Sequence, residues 1–380
     1  LKFLTFWVSV WMSEFVGDLP DSDGARSPRF CRELMGQETA VSHFLSNLAQ
    51  GKLHHACLLT GPKGVGKASF AHMAACFMLH HKDPASVAKN TENMSILDDE
   101  GLGKQIEQGS HPDLMIVTRP WDPAKERFKQ AISVDEVRKI RSFFNLSAGM
   151  GGWRICIIDA ADDMTLNAAN ALLKTLEEPP SKSLFLIVSH QSGGLLDTIR
   201  SRCMKIAFQP LKSNHIQHLM RQAIEDGYNN ADASQSLAAI SHLSRGSIGR
   251  ALHIYDTNGL EVYSDMVKLL RQFPSFRADS LHEVAERMSK RNTEHLFTDM
   301  GEFLQQWLHQ LVRFSAKGQM PEVIFEGEEA AFQAMASDRP LEAWVDVWEK
   351  VTELFDNAKR LNLDRKQTIL ESFKLIQSGV

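Results

Sequence analysis

Gly61-Pro62-Lys63-Gly64-Val65-Gly66-Lys67-Ala68-Ser69 constrains this chain more than any other stretch. A short apolar run, Ala56 to Leu59, precedes it and reads as a buried strand. Phe70 to Leu79 follows it and reads as a helix. A strand, a glycine loop and a helix in that order form the setting of a phosphate-binding P-loop. Its glycines turn backbone N–H groups inward, the helix N-terminus adds partial positive charge, and Lys67 adds a full one. Gly61, Gly64, Gly66 and Lys67 are therefore the candidate nucleotide-binding residues. In working P-loops the residue after the lysine is Ser or Thr, whose hydroxyl binds magnesium. Here it is Ala68. Ser69 comes one position late and points about 100° away on a helix. It is kept as a candidate member of the site.

Downstream, Trp153 to Ile158 reads as an apolar strand and ends in Asp159. An acid at the tip of a buried strand beyond a P-loop is the Walker B pattern, where it helps to hold magnesium. Hydrolytic relatives of this type place Glu next, to polarise the attacking water. Here the next residue is Ala160, so no base stands in the expected place. Asp162 and Asp163 are read as opening the following helix, where acids suit the dipole.

The rest of the first half alternates strands and helices. Val41, Phe44, Leu45 and Leu48 give a helix over 38–48, and Gly51 ends it. Asp113 to Val117 is a second strand. Ser133 and Glu136 read as a capping box for a helix carrying Val137, Ile140, Phe143 and Phe144. Asn167 to Glu178 is a helix stopped by Pro179-Pro180. Leu184 to Val188 and Lys205 to Phe208 are further strands. Such alternation predicts a parallel sheet with helices on both faces, binding ligands at the carboxyl ends of its strands. Residues 82–111, with Gly101, Gly103 and Gly109, read as an insertion or long loop.

Beyond Pro210 the pattern is helical. Leu296, Met300, Phe303, Leu304, Trp307, Leu311 and Val312 form one apolar stripe. Leu341, Trp344, Val345, Trp348, Val351, Phe355 and Ala358 form another. Both read as helix–helix core. The expected organisation is a flexible arm over 1–28, a P-loop domain over 29–209, a helical lid over 210–275 and an all-α domain over 280–380. Residues 1–11, a short apolar run ahead of Met12, read as mistranslated or alternatively started sequence. They are too short to span a bilayer and lack a signal-peptide cleavage site. The net charge of −5 gives no global nucleic-acid footprint. Five cysteines lie far apart without a C-x-x-C pair, which argues against zinc and disulfides and for a reduced, cytoplasmic setting.

The P-loop, the run Asn170-Ala171-Leu172-Leu173-Lys174-Thr175-Leu176-Glu177-Glu178-Pro179-Pro180 and the triplet Ser201-Arg202-Cys203 together resemble bacterial clamp-loader subunits of DNA polymerase III. The last two are far more specific than the P-loop, and the motifs cover roughly residues 29–255. Asn362 to Lys366 also resembles the family's C-terminal end. The resemblance implies an AAA+ domain with parallel sheet, a small helical lid and an all-α C-terminal collar. It implies a place in a hetero-pentamer with subunits of gamma, tau and delta type, acting on a sliding clamp and primed DNA, with no membrane partner. From its residues alone, Arg202 pairs with a nearby carboxylate or ends a loop. The resemblance makes it an arginine finger that reaches ATP on the adjacent subunit. Losses at Ala68 and Ala160, with Gly249 where family lids often carry a second-sensor arginine, imply a member with no ATPase activity of its own. The P-loop then either holds ATP or stands empty. Many relatives carry four zinc-binding cysteines after the P-loop strand; none lies between Cys76 and Cys156, so no metal is expected. Two other readings stay open. One is an active AAA+ motor of gamma/tau or helicase type, with Ser69 and another acid compensating. The other is a nucleotide-binding module that does not hydrolyse.

Overall fold

The computed structural model describes residues 34–94, 100–107, 109–123, 127–146, 149, 152–225, 236–291 and 293–379. The arm over 1–28, the apolar run within it and Cys31 lie outside the described residues. Contacts divide the chain into two compact units. One runs to Leu219 and includes Arg245–Arg250; the other comprises Met220–Ser244 and Ala251–Val380.

In the first unit, α1 (Glu38–Ala49), β1 (Ala56–Thr60) and α2 (Lys67–His80) come first, followed by α3 (Pro84–Ala88), α4 (Glu100–Glu107) and β2 (Leu114–Val117). Then come the short β3 (Trp121–Asp122) and β4 (Arg127–Phe128), α5 (Val134–Asn145), β5 (Arg154–Ile158), α6 (Leu166–Glu177), β6 (Ser183–Ser189), α7 (Asp197–Arg200) and β7 (Met204–Ala207). Five strands form one parallel sheet in the order β2-β5-β6-β1-β7. The strands are continuous apolar runs because helices cover both faces. Alternate residues divide between two cores. Cys57, Leu59, Ile155, Ile157, Leu184 and Leu186 pack with α1, α2, α3 and α4. Ala56, Leu58, Cys156, Ile158, Phe185 and Ile187 pack with α5, α6 and α7.

Two local expectations are corrected, and one strand pair is added. The segment 82–111 is no simple loop: it carries α3 and α4, and Ala88, Met94 and Ile106 enter the first core. Asp83 caps α3 by accepting from the Ser86 N–H, and Pro84 sits in the first turn, a start signal hidden among glycines and polar residues. No capping box forms on α5: the Ser133 hydroxyl makes no cap hydrogen bond among the described residues, and Glu136 pairs instead with Lys139 at 2.8 Å. Finally, β3 and β4 pair antiparallel, with Trp121 and Phe128 edge to face at 5.1 Å. Two-residue strands give no periodic signal.

The second unit is helical. It contains α9 (Leu237–Leu243), α11 (Gly259–Leu270), α12 (Ala278–Ser289), α13 (Glu294–Lys317), α14 (Glu328–Asp338), α15 (Leu341–Leu361) and α16 (Arg365–Ser378). The division between the units falls inside α8 (Ser213–Glu225) and inside α10 (Ile248–Asp256). Both apolar stripes are core, but they are wider than expected. Phe297 and Leu308 join the first and Val347 the second, whereas Leu296, Val312, Leu341, Val345 and Trp348 are half-buried. Trp307 stacks on Phe332 at 4.0 Å, and the Trp344 indole N–H donates to Met335 O at 2.9 Å.

The packing of α13 against α15 depends on Gly301. A Cβ there would stand 2.5 Å from Phe355 Cδ1. Glycine inside an exposed helix costs about 1 kcal/mol relative to alanine. At this position the order reverses. Gly301→Ala is expected to destabilise the protein by about 1–3 kcal/mol through overpacking, seen as a lower thermal midpoint. A raised midpoint would mean that the two helices separate without cost.

Candidate nucleotide site and the arginine of the opposite edge

The P-loop leaves the carboxyl end of β1 and turns into α2 at Lys67. Gly64 and Gly66 adopt φ of +75° and +100°, which a side chain would strain. A Cβ at Gly64 would also overlap Ser247 Oγ, because the Arg245–Arg250 loop lies on the P-loop. There the Gly249 N–H donates to Gly64 O at 3.2 Å. Ser247 Oγ in turn accepts from the Arg250 N–H at 3.1 Å. Gln37 supports the loop from another side. Its buried amide donates to Val65 O at 3.1 Å and to Gln209 O at 2.7 Å, and accepts from the Gln209 N–H at 3.2 Å.

Lys67 is buried, and its ammonium donates to Gly61 O at 2.7 Å and to Pro62 O. Burial pushes its pKa down to about 8, against the charges of Asp159 and Asp162, which pull it up. Lys67 and Asp159 thus share the carboxyl ends of β1 and β5, as the sequence predicts. Ser69 lies on α2, half-buried, one residue beyond the half-buried Ala68.

The Lys67 pKa makes a signed prediction. The unfolded side chain, with its ordinary value of 10.5, holds its proton where the folded one has released it. Between pH 8 and 10.5 the unfolded state binds more protons, so stability rises with pH through that window. Relative to Lys67→Met, the wild-type protein is expected to gain stability between about pH 7.5 and about pH 9.5 in urea titrations. A flat difference would show that Lys67 titrates as if in water.

Asp162 and Asp163 do not open α6. Thr165 caps that helix, accepting from the Ala168 N–H at 3.2 Å, and the two acids sit in a 3-10 turn before it. The Asp162 carboxylate accepts from Ser189 Oγ at 2.9 Å, the His190 N–H at 2.5 Å and the Gln191 N–H at 3.2 Å, tying this turn to the end of β6. Asp163 pairs with Arg119 at 3.1 Å. Both acids next to Ala160 are therefore engaged. Ala160 itself is buried.

The cradle fits a phosphate group: glycine turns, a helix N-terminus and a buried cation meet at one point. Ala68 supplies no hydroxyl and Ala160 no carboxylate, and Asp162 and Asp163 are held by Ser189 and Arg119.

Arg202 lies far from this site. It precedes β7, whose first residue Met204 is in register with Cys57 near the start of β1. The P-loop leaves the other end of β1. At ~3.3 Å per residue the two are roughly 15 Å apart along the strand direction, beyond the reach of an arginine side chain. Arg202 Nη2 pairs with Glu177 Oε1 at 2.7 Å, and Nη1 donates to Thr198 O at 3.1 Å. Arg200, the bystander, pairs with Asp197. The pairing of Arg202 with a carboxylate is thus the arrangement within the chain itself.

Sequence reading missed Gln37, Asp162 as a tether, the Ser247–Gly249 contact and Glu177. Only Gln37 left a trace: a polar residue after Gly36, just ahead of an amphipathic helix.

Counting sheet strands alone, the order is 5-1-4-3-2, with the phosphate loop after the first strand and the acid after the third. This defines a P-loop NTPase domain of AAA+ type, followed by a helical region. A family profile described as "DNA polymerase III, delta subunit" matches residues 36–212. This chain is similar to that family over just under half of its length. It is 35% identical over 189 residues to DNA polymerase III subunit delta' of Pseudomonas aeruginosa, covering 49% of this chain and 52% of that protein. To subunit delta' of Bacillus subtilis it is 31% identical over 218 residues, covering 57% and 59%. To subunit tau of Escherichia coli it is 28% identical over 233 residues, covering 60% and 33%. The chain spans about half the length of the delta' relatives it matches. Among solved structures, a gamma-subunit-related protein of Thermotoga maritima aligns over 90% of this chain and 98% of its own, with a TM-score of 0.39 and 17% identity. No helix among the described residues is long and apolar enough to cross a membrane.

Proposed function

We propose that this chain is a ring member of a DNA polymerase III clamp loader that does not hydrolyse ATP and completes a neighbour's active site with Arg202. The observation that carries the reading is the contrast between the two ends of the sheet. At one end, a phosphate cradle keeps Lys67 and lacks both hydrolytic groups. At the other, Arg202 stands beyond reach of that cradle, so any phosphoryl group it serves belongs to another chain. ATP bound in the cradle would supply a γ-phosphate, and Lys67 with the loop's N–H groups would hold it. The partners are subunits of gamma, tau and delta type, acting together on the sliding clamp and primed DNA. Residues 210–275 serve as the lid and 280–380 as the collar of the ring.

The motor reading requires Ser69 to reach the metal and another acid to polarise water. The engagement of Asp162 and Asp163 argues against the second requirement. The test is ATP turnover by the isolated chain and by a reconstituted ring carrying Arg202→Ala. A silent chain and an impaired ring support the proposal. Magnesium-dependent turnover by the chain alone restores the motor reading.

A further inference from the structure

Glu177 ends α6 as one of two adjacent acids, Glu177 and Glu178. Negative charge at a helix C-terminus is opposed by the helix dipole. A compensating cation is therefore expected there, and the structure supplies Arg202, whose Nη2 stands 2.7 Å from Glu177 Oε1. The end of α6 is itself fixed, since His55, just before β1, donates from Nε2 to Leu176 O at 2.9 Å. The Arg202 guanidinium is thus held at two points carried by different elements: Thr198 O on α7 and Glu177 on α6. A guanidinium has five N–H donors. These contacts use two, and the side chain remains 37% exposed. The group is oriented without being buried.

We infer that Glu177 is a positioning residue for Arg202: it holds the guanidinium in the orientation in which its outward donors meet a phosphoryl group on the adjacent subunit. This rests on the proposed trans role of Arg202. Glu177 touches no substrate and acts through the arginine alone. A long side chain held by one carbonyl samples many orientations. A second, charged anchor removes most of them before the neighbour arrives, which lowers the ordering cost at the moment of contact. Glu177 also borders a cleft of about 380 Å³ with Arg141, Asn145 and Lys174, so its effect on those groups must be separated from its effect on Arg202.

A double-mutant cycle in the reconstituted ring makes the separation. Glu177→Ala is expected to lower the ATP turnover of the site that Arg202 serves about three- to fivefold, the scale of a partly exposed ion pair. KM for ATP should stay unchanged. Glu177→Gln, which keeps an acceptor but not the charge, should fall between. In an Arg202→Ala background, Glu177→Ala should cost nothing further. If it costs the same factor there, Glu177 acts through the cleft or through folding, and the inference is overturned. If Glu177→Ala is silent while Arg202→Ala is severe, the inference fails and the finger stands. If Arg202→Ala is silent in an intact ring, the finger reading fails first and takes the inference with it. Thermal melts of each isolated variant show whether folding contributes.

Discussion

Arg202→Ala is expected to lower ATP hydrolysis at the neighbouring site by at least ~10³-fold while the ring still assembles, because arginine fingers contribute about 10³–10⁵ in rate. The whole ring need not stop, since other sites would keep their own arginines. The sharper measurement is therefore a single-turnover burst, which should lose the contribution of one site. Arg202→Lys should not restore it, because a lysine cannot present the planar fork that bridges phosphate oxygens. Assembly should survive, because Arg202 is 37% exposed and its pair with Glu177 is a surface interaction worth little to folding. Unchanged hydrolysis in an intact ring would remove the finger assignment, whatever the family of the chain.

Asp113→Ala is expected to cost about 3–5 kcal/mol of stability in the first unit, because it leaves a buried charge without its partner. Asp113 is 1% exposed, and its Oδ1 stands 3.7 Å from Nε of the buried Arg154. The same oxygen accepts from the Gly149 N–H at 2.9 Å. The arginine also contacts Leu146 O, Pro112 O and the ring of Phe143, 4.1 Å away. This cluster joins the start of β2, the start of β5 and the end of α5 at the edge of the sheet remote from the P-loop. Asp113→Asn, which keeps an acceptor for Gly149, should lose less. Replacing both charges by apolar residues of similar size should be close to neutral, since neither charge is then stranded. Urea unfolding followed by a probe in the first unit decides it. A loss below about 1 kcal/mol for Asp113→Ala would mean that water reaches Arg154.

The phosphate loop and its flanking elements were legible because they are contiguous: a strand, a glycine loop and a helix, then a further strand with Asp159 at its tip. The losses at Ala68 and Ala160 were legible for the same reason, as each is defined by the residue beside it. Strand and helix types followed from apolar runs that two covered faces of a parallel sheet demand. Segment 82–111 misled because glycines and polar residues masked two short helices whose few apolar contacts, at Ala88, Met94 and Ile106, come from the core rather than from any repeat. The capping box on α5 failed because a capping pattern states what Ser133 can bond and not what it does.

By itself, then, the sequence determined the class of domain and the place of the phosphate loop, both of which are local patterns. The tertiary structure alone decided what the remaining polar groups do. Asp162 bonds to residues 27 to 29 positions away. Gln37 spans from Val65 to Gln209, Gly249 lies on Gly64, and Arg202 meets Glu177 at the end of the sheet opposite its own P-loop. Each contact joins residues far apart in the chain, brought together by the parallel crossovers of the sheet and by the segments packed on it. Such crossovers leave no fixed spacing in the chain, so only the folded sheet shows which side chains share an edge.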